Sequence, residues 1–378
     1  MIGQLDLYTL QHIWWVIISL VGSIFLFLTF VQGGQTLIFS VARNEEEKTL
    51  LINSLGRKWE LTFTTLVLFG GGLFAAFPKF YATSFGGAYW VWMLILFTFI
   101  LQAVSYEFRK KEDNLFGPRV YEIFLFLNGV VGILLIGTAV ATFFSGSGFV
   151  LNEMNQVTWQ SPLRGLEAAG SFFNLSLGLF LVFLARVLGG MYLLNNLDHE
   201  ELNSRCRRSI WINFLWSLPF LLYFLISLVL MKGFAVDPAT GEIVMQKFKY
   251  LHNLVGFPVN LILCLLGLGL VVYGVAVNVF KKQRNGIWFG GIGTVLVGLS
   301  VFFLAGFNNT AFYPSSFDLQ SSLTITNASS SHFTLTVMSY VALAVPVVLA
   351  YIAFLWQRMD RNKLSMAELQ GEEAKDLY

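Results

Sequence analysis

The sequence predicts an all-α polytopic membrane protein of nine transmembrane helices, and three observations carry that prediction. The 378 residues are 56% hydrophobic and only 12% charged, about half the charged share of a soluble domain. They include 38 Phe and 10 Trp, more aromatic bulk than one soluble core needs. Nine apolar runs approach or exceed the roughly 20 residues a helix needs to cross the hydrocarbon layer.

The first run, 12–38, follows a polar N-terminus and ends in FVQGGQTLIF. The second, 60–82, opens on Glu60 just after Arg57 and Lys58, and carries Gly70, Gly71 and Gly72 near its middle. The third, 86–106, starts at the Gly86-Gly87 turn and stops at YEFRKK. The fourth, 121–144, begins after Arg119 and stops before Gly146. The fifth, 168–193, contains Arg186. The sixth, 210–231, follows Arg205, Arg207 and Arg208. The seventh, 254–279, ends before Lys281, Lys282 and Arg284, and the eighth, 287–306, begins just beyond them. The ninth, 335–356, is followed by Arg358 and Arg361.

Charge sets the direction. Loops 41–58, 107–120, 194–209 and 280–286 and the tail are rich in Lys and Arg, whereas the alternate connections are poor in them, with 232–253 the exception. The positive-inside rule then places the N-terminus outside and the C-terminus inside, which an odd number of spans requires. The expected architecture is two four-helix bundles plus one extra helix. The chain 1–378 is expected to form a single integral membrane domain, about 12–356 in the membrane and 357–378 a cytoplasmic tail. No signal peptide is expected, because no basic n-region precedes the first run. Among the outer loops, 232–253 carries Asp237-Pro238 and Gly241 between Val236 and Ile243, the pattern of a small hairpin.

A net charge of +2 gives no footing for nucleic acid. Cys206, in a charged loop, and Cys264, inside an apolar run, are expected to lie apart, without a disulfide or metal-ligand spacing. A haem buried among helices takes His, Met or Cys as its axial ligand. The four histidines fall at helix ends or in loops: His12 and His252 at outer helix ends, His199 in an inner loop, His332 in the outer 307–334 loop. No metal site is expected.

Ionisable groups near the spans are the remaining candidates. An acid at the mouth of an apolar helix is expensive unless paired or functional. Glu60 stands there, and with Thr62, Thr64 and Thr65 it could hold a short water chain. Glu107 and Glu122 lie beside Arg109–Lys111 and Arg119, as surface ion pairs would. Arg186 is expected to snorkel inward or pair with an acid, and is a candidate contact for a quinone or lipid headgroup. Three adjacent glycines give up about 1 kcal/mol each of helix propensity, and what they return is close helix approach. Trp14, Trp15, Trp90, Trp92 and Trp59 fit interfacial aromatic belts.

Four stretches carry a family resemblance: HIWWVIISLVG at 12–22, ARNEEEKTLLINSLGRKWE at 42–60, GGGLFAAFPKFYATSFGGAY at 70–89, and YPSSFDLQSSLTITNASSSHFTLTVMSYVALAVPVVLAY at 313–351. Over nearly its whole length the chain resembles subunit II of the cytochrome bd-type quinol oxidases. The resemblance implies a bacterial inner-membrane respiratory complex that oxidises quinol and reduces oxygen to water. It implies a partner, subunit I, holding two b-type haems and one d-type haem, with no haem in this chain. A small accessory subunit, membrane lipids and a structural quinone are further expected associates. Glu60 matches the family's proton-route acid, Glu107 is taken as a second proton-path group, Trp59 would face the haem region, and Gly70, Gly71 and Gly72 the partner. The sequence departs from the family in the first span, which has no acid between Leu26 and Asn44 and offers only Gln32 and Gln35; Gln102 stands where some members carry Arg. The alternative is a secondary transporter, with Pro219, Pro258 and Pro346 as the helix breaks such a site needs.

Overall fold

The computed structural model describes residues 2–111, 114–361 and 363–365. Among the described residues nine helices are long and apolar enough to cross a membrane: α1 (Leu7–Gln35), α2 (Glu45–Ala76), α3 (Tyr89–Phe108), α4 (Pro118–Ser145), α5 (Phe172–Asn196), α6 (Glu200–Leu230), α7 (Pro258–Val279), α8 (Gly286–Gly306) and α9 (His332–Met359). All nine predicted runs are present. The tail beyond residue 365 lies outside the described residues.

The largest departures are early starts on the face that carries the basic loops. α2 begins at Glu45 rather than 60, because Asn44 caps it by accepting the Glu47 N–H (2.8 Å). The apolar window sees only the membrane part of such a helix. α2 is interrupted at Arg57 and Lys58 before it resumes at Trp59. α6 begins at Glu200, with His199 as its cap: the imidazole Nδ1 accepts the Leu202 N–H (3.2 Å). Most of the predicted 194–209 loop is therefore helical, and Cys206 is a fully buried helix residue instead of a loop thiol. His332 likewise opens α9, behind the Ser331 cap.

α5 is the most buried span and α9 the least. α5 packs on α4, α6 and the end of α1; α7 packs on α8; α1 bridges α2 and α8. Small residues make these contacts possible, as lipid-embedded packing requires. A methyl group added at Gly33 of α1 would run into the Ala185 carbonyl of α5, and one at Gly267 of α7 would lie 2.8 Å from the Gly293 carbonyl of α8.

The opposite face carries two small antiparallel hairpins. β1 (Phe149–Leu151) pairs with β2 (Val157–Trp159), and β3 (Lys232–Val236) pairs with β4 (Ile243–Lys247). The second is the hairpin that Asp237-Pro238 and Gly241 foretell; the first carried no comparable signal. Segment 307–331 is stitched to both by the bridges Ser147–Ser315 and Ala235–Thr310. Under it lies an aromatic core of Trp15, Phe77, Phe80, Phe143, Phe312 and Tyr313. Trp14 and Trp15 belong to the interior and not to a belt: their indole N–H groups donate to the Leu335 carbonyl (3.1 Å) and the Phe302 carbonyl (3.2 Å). Trp90 is 44% exposed, as a belt residue would be.

Candidate functional site

Residues 59 and 60 diverge because successive helix positions are turned by about 100°. The Trp59 ring turns inward and stacks on Tyr106 of α3, centroids 5.8 Å apart at 12°. Its Nε1–H is buried and has no acceptor. Glu60 turns outward and is exposed. It heads a stripe of exposed residues along α2: Glu60, Thr64, Val67, Leu68, Gly71 and Phe74. On antiparallel α3 the exposed stripe Met93, Phe97, Ile100 and Val104 ends at Glu107, at the same face of the molecule. The two helices touch through Phe63–Phe99 as well as Trp59–Tyr106. Each stripe thus ends in a carboxylate at the basic face.

Two of the expected neighbours of these acids, Lys58 and Arg109, are engaged elsewhere. Lys58, beside Glu60 in sequence, is buried and pairs with Asp360 (2.8 Å) while lying over the Trp356 ring (5.2 Å). The hydroxyls of the expected water chain donate to backbone: Thr62 to the Leu28 carbonyl (3.1 Å), Thr64 to that of Glu60 (2.7 Å) and Thr65 to that of Leu61 (2.6 Å). Glu122 is not a surface pair. It is 1% exposed and holds both Arg109 (2.8 Å) and Lys48 (3.1 Å), and Arg109 also donates to Thr49 (3.3 Å). Glu47 binds Arg205 through both its oxygens. Breaking one member of such buried pairs strands a charge, so these contacts lock α2, α3, α4 and α6 together at the basic face.

Behind Trp59 runs a polar column inside the helices. Gln32 donates to Gln102 (3.2 Å), Gln35 to the Tyr106 hydroxyl (3.0 Å), and Asn128 to Thr98 (3.3 Å). Thr98, Gln102 and Tyr106 follow each other at four-residue steps, so one face of α3 presents all three. Gln32 Oε1, Gln35 Oε1, Gln102 Nε2 and Asn128 Oδ1 are buried without partners, although buried polar groups are nearly always bonded. Asn128 opens a π-helical turn, Asn128–Gly132, that brings Gly129 against the Gln32 carbonyl; such turns recur at functional sites. The sequence marked Gln32, Gln35 and Gln102 as polar, but not that they meet. The column contains no carboxylate.

The glycine triplet divides three ways. A methyl group at Gly72 would meet Ile18 of α1 at 2.6 Å, so this glycine serves packing within the chain; Gly70 lies near Phe85; around Gly71 there is nothing within 4 Å. Among the described residues Arg186 pairs with no acid. It donates to Asn213 Oδ1 (2.6 Å) and the Thr36 carbonyl (3.2 Å), tying α5 to α6 and α1.

Each of the four histidines has a ring nitrogen engaged within the chain. Nδ1 of His12 lies 2.7 Å from the Tyr8 carbonyl, and Nε2 of His332 lies 2.8 Å from that of Leu5. His199 is a helix cap, and His252 contacts Gln246. Among the described residues no three His, Cys, Asp or Glu side chains gather as a metal site.

The family model described as cytochrome bd terminal oxidase subunit II matches residues 10–359. The chain is 28% identical to a probable cytochrome oxidase subunit 2 of Haemophilus influenzae, over 96% of this chain and 100% of that protein. It is 27% identical to the cytochrome bd-I ubiquinol oxidase subunit 2 of Escherichia coli, over 94% and 96%. A chain of the bd oxidase structure from Geobacillus thermodenitrificans shares the fold, with a TM-score of 0.64 at 16% identity, covering 94% of this chain and 100% of that one.

Proposed function

The chain belongs to the cytochrome bd terminal oxidase subunit II family, and from that premise we propose that it is the haem-free second subunit of a quinol:dioxygen oxidoreductase in a bacterial inner membrane. The quinol follows from the name of the Escherichia coli relative. The partner is a haem-bearing subunit I, whose two b-type haems and one d-type haem supply the electron transfer and oxygen chemistry. What this chain contributes is a packing surface and a proton entrance.

The observation that carries this reading is the acid at the end of each exposed stripe of α2 and α3. Apolarity alone cannot mark a partner face, since α6 and α7 also expose apolar side chains such as Leu222, Ile226, Ile262 and Leu265. A carboxylate at the end of such a stripe is different, because lipid offers it nothing. Glu60 and Glu107 are satisfied if subunit I covers these helices and supplies polar partners or water. The open ground at Gly71 lets a foreign helix approach closely; Gly70 and Gly72 support that surface from within. With the basic face taken as cytoplasmic, which puts the N-terminus outside and the tail 357–378 inside, Glu60 faces the side from which protons for water are drawn. Trp59, fixed on Tyr106, braces the helix start beside the partner. Arg186 is the candidate contact for a quinone or lipid headgroup, and the two-bundle arrangement with α9 peripheral completes the reading of 1–378 as one membrane domain. A small accessory subunit is compatible with the bareness of α9.

For the transporter alternative, Pro219 lies inside the continuous α6 and Pro258 in the first turn of α7, while Pro346 follows a break in α9 at Leu343–Ala344 on the least buried span, which offers no enclosed site. The direct test is Glu60→Gln in the purified complex. Oxygen consumption with quinol should fall several-fold, with Glu60→Asp milder. Unchanged turnover in Glu60→Gln rejects the proton role and leaves a purely structural subunit.

A further inference from the structure

On the face opposite the basic loops, a cavity of about 290 Å3 lies between the starts of α3 and α5, the end of α4, the β1–β2 hairpin and segment 313–317. One charged side chain lines it, Glu167. Gly165, in the left-handed region at φ +96°, donates its N–H to Glu167 Oε2 (2.8 Å) and so fixes the carboxylate. The other oxygen, Oε1, is buried and has no hydrogen-bond partner among the described residues. A buried carboxylate oxygen without a counter-ion or donor is unfavourable, so something outside the chain is expected to meet it. The nearest cation in sequence, Arg164, is engaged elsewhere, its guanidinium 5.2 Å from the Tyr89 ring centroid.

The other walls say what kind of cation fits. Trp92, Trp159, Phe317 and Tyr313 line the same cavity. Both indoles are held in place, Trp159 Nε1 donating to the Thr83 carbonyl (3.1 Å) and Trp92 Nε1 to Ser84 Oγ (3.3 Å). Aromatic rings in the same cavity as a carboxylate, Trp92 with one face stacked on Phe85 (3.8 Å), suit an organic ammonium, which draws on cation–π attraction and a charge-assisted hydrogen bond together. A divalent metal would ask for several hard oxygen ligands and more negative charge. The threonine hydroxyls at this wall are already donating to helix carbonyls, Thr138 to Leu134 (2.8 Å) and Thr142 to Ala139 (2.6 Å), and Ser145 donates to Asn174 (2.7 Å).

We propose that this cavity binds a small organic ammonium, with Glu167 as counter-ion and the Trp92 and Trp159 rings as walls. The same chemistry is offered by a soluble primary amine and by the ethanolamine headgroup of a phospholipid.

The test uses the complex purified with this chain and depleted of lipid. Ethanolamine, ethylene glycol as its neutral isostere, and sodium or calcium chloride are titrated while the thermal midpoint is followed. Ethanolamine should raise the midpoint saturably where the glycol and the salts do not. Glu167→Gln, whose amide oxygen can still take the Gly165 N–H, should weaken that response about tenfold, as loss of a bond to a charged group does, with quinol oxidation unchanged. Ala168→Leu, which narrows the cavity and leaves the carboxylate alone, should do the same. Vesicles of phosphatidylethanolamine against phosphatidylglycerol separate the sources: protection only by the former assigns a lipid headgroup, equal behaviour with free ethanolamine effective assigns a soluble amine. An equal response to ethanolamine and glycol, a response reproduced by the metal salts, or an unaltered response in both variants overturns the proposal.

Discussion

Glu60 and Trp59 are chain neighbours that the helix sends to opposite sides, one to the open face and one into the interior. Composition could nominate both, but only the helical phase set by the rest of α2 decides which is exposed. Glu122 shows the same limit from the other direction. Its proximity in sequence to Arg119 suggested a surface pair, whereas α3 and α2 bring Arg109 and Lys48 to it in the interior. Glu122→Gln should therefore destabilise the chain, by up to about 3–5 kcal/mol, since it leaves the buried Arg109 with only the exposed Glu45 carboxylate (3.6 Å) and the Thr49 hydroxyl. Thermal inactivation of the purified complex reads this out, and adding Arg109→Gln should recover much of the loss. Lys249, in the short helix Lys249–Gly256, gives a pH signature. Burial lowers its pKa, although it donates to the Asn308 carbonyl (2.7 Å). The unfolded chain then holds this proton more tightly than the folded one, so protonation disfavours the fold at neutral pH. That penalty is relieved as pH rises through the folded pKa toward the ordinary lysine value. Stability measured from pH 7 to 9.5 should rise in the wild type, and Lys249→Met should flatten the slope.

At the scale of helices, the glycine signal was legible but its assignment was not. The conspicuous triplet in α2 makes one tight contact, Gly72 on Ile18, while the close crossings rest on glycines scattered singly or in pairs: Gly33 and Gly189 for α1 on α5, Gly267 and Gly293 for α7 on α8. A sequence shows a small residue but not what lies across from it. Gly33→Ala should force α1 and α5 apart, with little complex recovered from membranes. Gly71→Ala, with nothing near its added methyl, should be neutral or stabilising by up to about 1 kcal/mol through helix propensity. Gly71→Trp separates packing within the chain from packing against a partner. Loss of subunit I on co-purification, with this chain still folded, is the expected result if Gly71 lies under the partner. Retention at wild-type stoichiometry would move the interface elsewhere.

Over the whole molecule, the membrane topology was readable because hydropathy is a local property that the bilayer imposes along the chain. All nine spans were found that way, with errors where helices run on beyond the apolar window, at Glu45 and Glu200. The β3–β4 hairpin was readable from its turn residues and the β1–β2 hairpin was not, because its connection 152–156 carries no Gly or Pro; the amide column at Gln32, Gln35 and Gln102 and the Glu167 cavity arise from residues far apart in sequence, whose meeting no local pattern shows. The positions of the histidines, at helix ends and in loops, were readable too, and they bear on the proposal that a neighbour holds the redox groups while this chain supplies surface and a proton entrance. The most direct test is to purify the chain through an affinity tag, once expressed alone and once with subunit I, and to record absorption spectra of both. Haem bands are expected only in the co-expressed sample, and are lost from this chain when the subunits are separated. Haem bands that stay with this chain when it is purified alone would contradict the proposal.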